Sequence, residues 1–134
     1  MADDLKVLIV DDSKLVMTQL ERILASVDGV DLVGKATDGA AAVRTVAFTN
    51  PDLVLMDIVM PGMDGLSALR MIGATRPKTR VVMISSVARK GTNGEEAFRL
   101  GAVQMIQKPF DPEQIQALLE SELELHKSDR GDGE

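Results

Sequence analysis

Four short apolar runs in this chain each end in a polar residue able to handle phosphate or a divalent cation. Leu5-Lys6-Val7-Leu8-Ile9-Val10 leads into Asp11-Asp12, and Leu53-Val54-Leu55-Met56 leads into Asp57. Val81-Val82-Met83-Ile84 leads into Ser85-Ser86, and Val103-Gln104-Met105-Ile106-Gln107 leads into Lys108-Pro109. Ligands of an open α/β sheet bind beyond the carboxyl ends of its parallel strands. Three carboxylates, a hydroxyl and an ammonium gathered there would make a site for phosphoryl transfer to an aspartate. Two carboxylates about 4 Å apart repel by about 4 kcal/mol at an effective dielectric near 20, so the cluster calls for a cation. Hard oxygen ligands suit Mg²⁺, with Mn²⁺ as the alternative. Zinc does not fit, because the chain has no cysteine and its one histidine, His126, falls near the end of the last predicted helix. Capping of the first helix would explain Asp11 or Asp12 taken singly; the pair together with Asp57 points to metal. Asp57 is the candidate nucleophile, since a carboxylate can attack phosphorus to give an acyl phosphate. Lys108 would spread charge on the transferring group. Ser85 and Ser86 are equivalent by spacing alone.

The elements that must hold these residues alternate along the chain. Buried-type strands are expected near residues 5–10, 31–36, 52–57, 80–85 and 103–107. Helices are expected near 14–27, 39–49, 65–75, 93–100 and 112–126. Ser13, Asp38 and Asp64 stand where N-caps belong, and Asp111-Pro112-Glu113-Gln114 reads as a cap with proline in the first turn. Asn50-Pro51 and Arg76-Pro77 stop the second and third helices. Apolar stripes such as Val16, Leu20, Ile23, Leu24 and Val27 are explained by packing on a sheet. Five βα units with right-handed crossovers give a doubly wound parallel α/β sheet. From the pattern alone its order is either 2-1-3-4-5 or 3-2-1-4-5.

Composition sets the outer bounds. With 134 residues, 45% hydrophobic and 27% charged, one domain spanning 1–126 is expected, followed by a polar, disordered tail at 127–134. A net charge of −6 argues against a nucleic-acid surface. No apolar run is long enough to cross a membrane and the N-terminus lacks a signal pattern, so a cytoplasmic location is expected.

Val10-Asp11-Asp12-Ser13, the run from Met56-Asp57 to Asp64-Gly65, Ser85 and Lys108-Pro109-Phe110 together resemble the receiver domain of two-component response regulators. The resemblance covers about residues 4–126. It implies the flavodoxin-like order 2-1-3-4-5 and Mg²⁺-dependent phosphoryl transfer to Asp57 from a phosphohistidine of a histidine kinase or phosphotransfer protein. It also implies that Asp12, Asp57 and the backbone carbonyl of Val59 ligate the metal, with Asp11 acting through water. Ser85 would be the switch hydroxyl, Lys108 would bind the phosphoryl group, and the Lys108–Pro109 peptide would be cis. Stretches such as Leu15-Val16-Met17 and Val82-Met83-Ile84-Ser85-Ser86 look most like the chemotaxis branch, including receivers of its methylesterases. The implied protein is a stand-alone signalling phosphoacceptor rather than a turnover enzyme. Its output partner would bind the face formed by the fourth helix, fifth strand and fifth helix, roughly residues 89–100, 103–107 and 112–123. One position departs from the pattern: Met105 stands where the family usually has Tyr or Phe, and its flexible thioether is expected to make the switch graded.

Rival readings fit less well. A haloacid-dehalogenase-type phosphatase needs a second acid two residues after its nucleophile, where this chain has Val59. A dinucleotide site needs glycines after the first strand, and Asp11-Asp12-Ser13-Lys14-Leu15 has none. Arg89-Lys90-Gly91-Thr92-Asn93-Gly94 lacks the order of a phosphate-binding loop. A receiver that binds partners without being phosphorylated is the rival from another class, and the intact Asp12, Asp57, Ser85 and Lys108 weigh against it.

Overall fold

A computed structural model describes residues 4–86 and 92–132. Five strands, β1 (Leu5–Val10), β2 (Val30–Ala36), β3 (Leu53–Asp57), β4 (Arg80–Ser85) and β5 (Gln104–Gln107), alternate with five helices. These are α1 (Lys14–Ala25), α2 (Gly39–Thr49), α3 (Gly65–Thr75), α4 (Thr92–Arg99) and α5 (Pro112–Asp132). All strand pairs are parallel, in the order β2-β1-β3-β4-β5. The chain therefore reverses its winding between β1 and β3, where a doubly wound sheet opens its ligand crevice. Of the two orders left open by the sequence pattern, this is the one that brings Asp11 and Asp57 together.

Alternation along the strands divides the core in two. Leu5, Val7, Ile9, Leu53, Leu55, Val82, Ile84 and Ile106 face α1 and α5, meeting Leu20, Leu24, Ile115 and Leu119. Leu8, Val10, Val54, Met56, Val81 and Met83 face α2, α3 and α4, meeting Val46, Leu69, Ile72 and Ala97. Both faces of β1, β3 and β4 are covered, which is why these strands read as continuous apolar runs rather than alternating ones.

Helix starts follow the caps. Ser13, Asp38 and Asp64 each accept a hydrogen bond from the backbone N–H three residues on. Gln114 reaches back to accept from the N–H of Asp111 at 2.9 Å, the second half of a capping box. α2 ends on Asn50 in the left-handed conformation (φ 50), and α3 ends on Arg76, which leaves the helical region (φ −136, ψ 72) ahead of Pro77.

α5 corrects the expected boundary: it runs to Asp132, past residue 126 and into the stretch expected to be disordered. Residues 127–132 lack apolar residues, but they hold no proline, and the helix continues through them, Gly131 included. α5 is also tied to the sheet by a feature absent from the apolar pattern. Buried Glu122 receives two hydrogen bonds from Arg80, Nε at 2.7 Å and Nη2 at 3.1 Å.

Candidate functional site

β1 and β3 are in register from Val7 with Leu53 to Val10 with Met56. The residues that follow, Asp11 and Asp57, thus leave neighbouring strands at the same level. β4 and β5 extend the row, Asp57 pairing with Ile84 and Ser85 with Gln107. Asp11, Asp12 and Asp57 each offer a carboxylate oxygen, and these oxygens lie within 4.8 Å of one another. Asp11 and Asp57 are buried while Asp12 is exposed, so the cluster has two sheltered acids and one at its mouth.

Lys108 holds the buried pair. Its Nζ lies 2.8 Å from Asp11 Oδ2 and 3.1 Å from Asp57 Oδ2. The Lys108 backbone N–H donates to the carbonyl of Ser85 at 2.9 Å, and the following Lys108–Pro109 peptide is cis, as the resemblance implied. Sequence reasoning aimed this ammonium at a phosphoryl group and did not foresee that it bridges both acids. The remaining oxygens also have backbone partners: Asp11 Oδ1 accepts from Ser13 N–H at 2.9 Å, and Asp57 Oδ1 accepts from Val59 N–H at 3.3 Å.

The balance at Asp57 favours its protonated form more than water does. Burial raises its pKa and the Asp11 charge raises it further, with the hydrogen bond and attraction from Lys108 opposing. For Lys108 burial pushes the other way, but the hydrogen bonds and charges of Asp11 and Asp57 outweigh it and leave the ammonium pKa raised.

The two serines that spacing could not separate sit differently. Ser85 is fully buried at the end of β4, whereas Ser86 is exposed. Ser86 borders a cavity of about 280 Å³ with Leu15, Val16, Gln19, Lys108 and Phe110. A larger cavity, about 420 Å³, opens beside the acids between α1 and β2, bounded by Asp12, Lys14, Thr18, Glu21 and Lys35. Val59 is exposed just outside Asp57. Met105 is half-buried and faces α4, where a Cβ built on Gly94 would stand 3.5 Å from its sulfur. Val87 and the Arg89–Gly91 stretch lie outside the described residues.

Two positioning glycines went unrecognised in the sequence, where they were read only as first residues of helices. Gly65 donates to the carbonyl of Ile58 at 2.7 Å, and a Cβ there would collide with the carbonyl of Asp57. Gly39 donates to the carbonyl of Met63 at 3.1 Å, and a Cβ there would strike that same oxygen. The starts of α3 and α2 thus clamp the loop that leaves Asp57. The signal was present as an Asp-Gly pair at each helix start, Asp38-Gly39 and Asp64-Gly65.

A hard-oxygen cluster with one solvent-facing acid fits a divalent cation that keeps some of its waters, as Mg²⁺ does. If the cluster does so, Mg²⁺ raises the melting temperature by binding the folded state preferentially. Asp12→Ala is expected to lose most of that gain in a calorimetric titration; identical titrations would remove Asp12 from the ligand set.

Comparison with known proteins places the architecture in a class. The family model of the response regulator receiver domain matches residues 7–120, and the chain belongs to that family. It is 39% identical over 105 residues to protein-glutamate methylesterase/protein-glutamine glutaminase 5 of Myxococcus xanthus, covering 78% of this chain and 30% of that protein. It is 44% identical over 108 residues to protein-glutamate methylesterase/protein-glutamine glutaminase 4 of Geobacter metallireducens, covering 80% and 31%. The chain therefore spans about a third of the length of these relatives. The response regulator domain of Thermotoga maritima CheB superposes with a TM-score of 0.79 at 35% identity, covering 92% of this chain and 96% of that one. CheY of Borrelia burgdorferi, solved as a CheX-CheY-BeF3-Mg complex, gives 0.80 at 35% identity, covering 87% of both. The expected likeness to the chemotaxis branch and its methylesterase receivers holds. Among the described residues no helix is long and apolar enough to cross a membrane.

Proposed function

We propose that this receiver takes a phosphoryl group onto Asp57 from the phosphohistidine of a histidine kinase or phosphotransfer protein. The observation that carries this reading is the Lys108 ammonium shared between Asp11 and Asp57 at the ends of β1, β3 and β5. A carboxylate oxygen of Asp57 attacks phosphorus; the new O–P bond forms as the P–N bond breaks, and the departing imidazole nitrogen keeps the electron pair. Asp12, Asp57 and the Val59 carbonyl would hold Mg²⁺ or Mn²⁺, with Asp11 acting through water, and the metal would neutralise charge on the transferring group. Lys108 moves from stabilising two carboxylates to stabilising the acyl phosphate. Ser85, at the inner end of β4, is placed in this reading as the hydroxyl that meets a phosphoryl oxygen.

The unit 1–126 is read as a cytoplasmic signalling phosphoacceptor, not a turnover enzyme. Its signal leaves by protein–protein contact at the face of α4, β5 and α5. Chemotaxis control is supported by the relatives' names. A crystallised complex of the Borrelia CheY with BeF3 and Mg²⁺ supports the metal and phosphoryl assignment.

Incubation with Mg²⁺ and acetyl phosphate, read by intact mass, is expected to add one phosphoryl group. No added mass would support the non-phosphorylated interaction module instead. The lifetime of the product is a further expectation. Val59 and Val87 are apolar two residues beyond Asp57 and Ser85 and can neither orient water nor accept its proton, so hydrolysis should be slow. The double substitution Val59→Asn, Val87→Glu is expected to shorten the decay measured at fixed Mg²⁺. Unchanged or slower decay would refute this account.

A further inference from the structure

We propose that the outer surface of α2 and α3 docks an acidic, amphipathic helix of another protein. Residues 39–51 and 65–79 contain Arg44, Arg70, Arg76 and Lys78 and not one carboxylate. They carry +4 in a chain of net −6, so everything else carries −10. Among the described residues none of these four cations is within ion-pair distance of an acid. Arg76 is half-buried against α2 and Lys78 lines a cavity that also holds Asp52 and Glu122, so the exposed, unpaired charge of the helix surface is that of Arg44 and Arg70.

The same surface presents apolar groups that are exposed among the described residues. Phe48 is 91% exposed and lies one helical turn beyond exposed Arg44, on the same side of α2. Met71 is 44% exposed on α3, beside exposed Arg70. Arg76 Nη2 donates to the carbonyl of Ala47 at 3.1 Å, which stitches the C-terminal ends of the two helices side by side. Small residues Ala47 and Ala74 keep the exposed surface low. Two adjacent helices with a shallow seam, an aromatic and a methionine flanked by guanidinium groups, suit a helix laid into a groove, its acids on the rim and its apolar residues inward.

Charge complementarity selects the occupant. The −10 on the remainder of the chain repels a polyanionic phosphate backbone, which engages many contacts over a long surface. A short acidic helix needs only the local patch. The surface is also separate from the phosphorylation site: α2 and α3 begin at the site end of the sheet, and Phe48, Thr75 and Arg76 stand at their far ends.

The test is fluorescence anisotropy of a labelled synthetic helix with glutamates on one face and leucines on the other, titrated with the full chain. Binding is expected, with affinity falling as salt is raised from about 50 to about 300 mM. Arg44→Glu with Arg70→Glu, and separately Phe48→Ser, should each weaken it about tenfold, with circular dichroism melts showing these exposed changes leave the fold intact. Equal binding by the variants would overturn the proposal, as would equal binding of a lysine–leucine helix of the same pattern. So would tighter binding of duplex DNA or anionic vesicles. Sedimentation showing self-association that the same variants abolish would reassign the face to a second copy of this chain.

Discussion

Asp57→Asn is expected to abolish phosphoryl uptake from acetyl phosphate and at the same time to make the protein more stable at neutral pH. The first half follows from the nucleophile: an amide at the end of β3 keeps the shape of the side chain and loses the attacking oxygen charge. Intact mass should show no added phosphoryl group. Labelling of the variant at the wild-type stoichiometry would reassign the acceptor. The second half follows from electrostatics. Burial, with the Asp11 charge adding to it, raises the Asp57 pKa above the ordinary aspartate value despite Lys108. An acid raised on folding contributes stability only below its unfolded pKa, and that contribution is lost as pH rises through the folded value. At neutral pH the ionised Asp57 is therefore a cost that the amide removes. Lys108 remains paired with Asp11 at 2.8 Å, so the change orphans no charge. The variant's melting temperature should exceed wild type by about 3 °C at pH 7, the order of 1 kcal/mol in a domain of this size. The gap should close as pH falls through the carboxylate range. A variant less stable at pH 7, or a gap that widens on acidification, would contradict the burial argument. In the proposed function the strained acid would be relieved by binding a cation or by taking up a phosphoryl group.

Most of this site was legible before any coordinates, for a physical reason. Central strands of a parallel sheet are buried on both faces, so each is a run of apolar residues whose first polar residue marks the carboxyl end. Asp11, Asp57 and Ser85 close those runs; Lys108 instead follows the edge strand β5, which already carries Gln104 and Gln107, and was legible through the Lys108-Pro109-Phe110 run. Caps were legible because a side-chain oxygen before a helix has one economical use, and Ser13, Asp38 and Asp64 all serve it. Strand adjacency was not legible from pattern: two orders satisfied the same periodicity, and only the need for Asp11 and Asp57 to converge separated them. The end of α5 was missed because low hydrophobicity was taken as loss of order, whereas a helix already formed adds one backbone hydrogen bond per further residue and meets no proline before Asp132. The Arg80–Glu122 pair left a trace that was passed over: Glu122 falls on the stripe of Ile115, Leu118 and Leu119, where an unpaired acid would be costly. The bridging by Lys108 could not be read, since it depends on the ordering of β1, β3 and β5 in space.

Replacing that lysine should have the largest structural effect of any single change at the site. Lys108→Met keeps the length and apolar stem and deletes the ammonium, leaving Asp11 and Asp57, 1% and 8% exposed at the side chain, with no cation. Breaking a buried ion pair by removing one partner costs about 3–5 kcal/mol; the site's opening at Asp12 and the adjustable protonation of Asp57 put the expected loss near the lower end, about 3 kcal/mol. In wild type the raised ammonium pKa sets the window: its contribution is complete below the unfolded lysine pKa near 10.4 and is lost as pH rises through the folded value. The wild-type protein should therefore keep this stabilisation across neutral pH and lose it only in alkali. In the variant the unpaired acids must protonate or find another cation, so its deficit should shrink on acidification and also on addition of Mg²⁺. Thermal melts of both proteins at pH 5 and pH 7, with and without Mg²⁺, separate these effects. Phosphoryl uptake should remain possible but slow by about 10²-fold, the order lost when one donor to a developing oxyanion is removed. A variant with an unchanged melting temperature in metal-free buffer would mean that the Asp11–Lys108–Asp57 bridge contributes nothing to the folded state. A variant whose deficit ignores Mg²⁺ would mean that the metal does not enter between these acids. Slowed uptake with a restored melting temperature in Mg²⁺ is the combination expected from the proposed function: there the cation would replace the ammonium in neutralising the two acids, and the ammonium's separate contribution to the transferring group would be what remains missing.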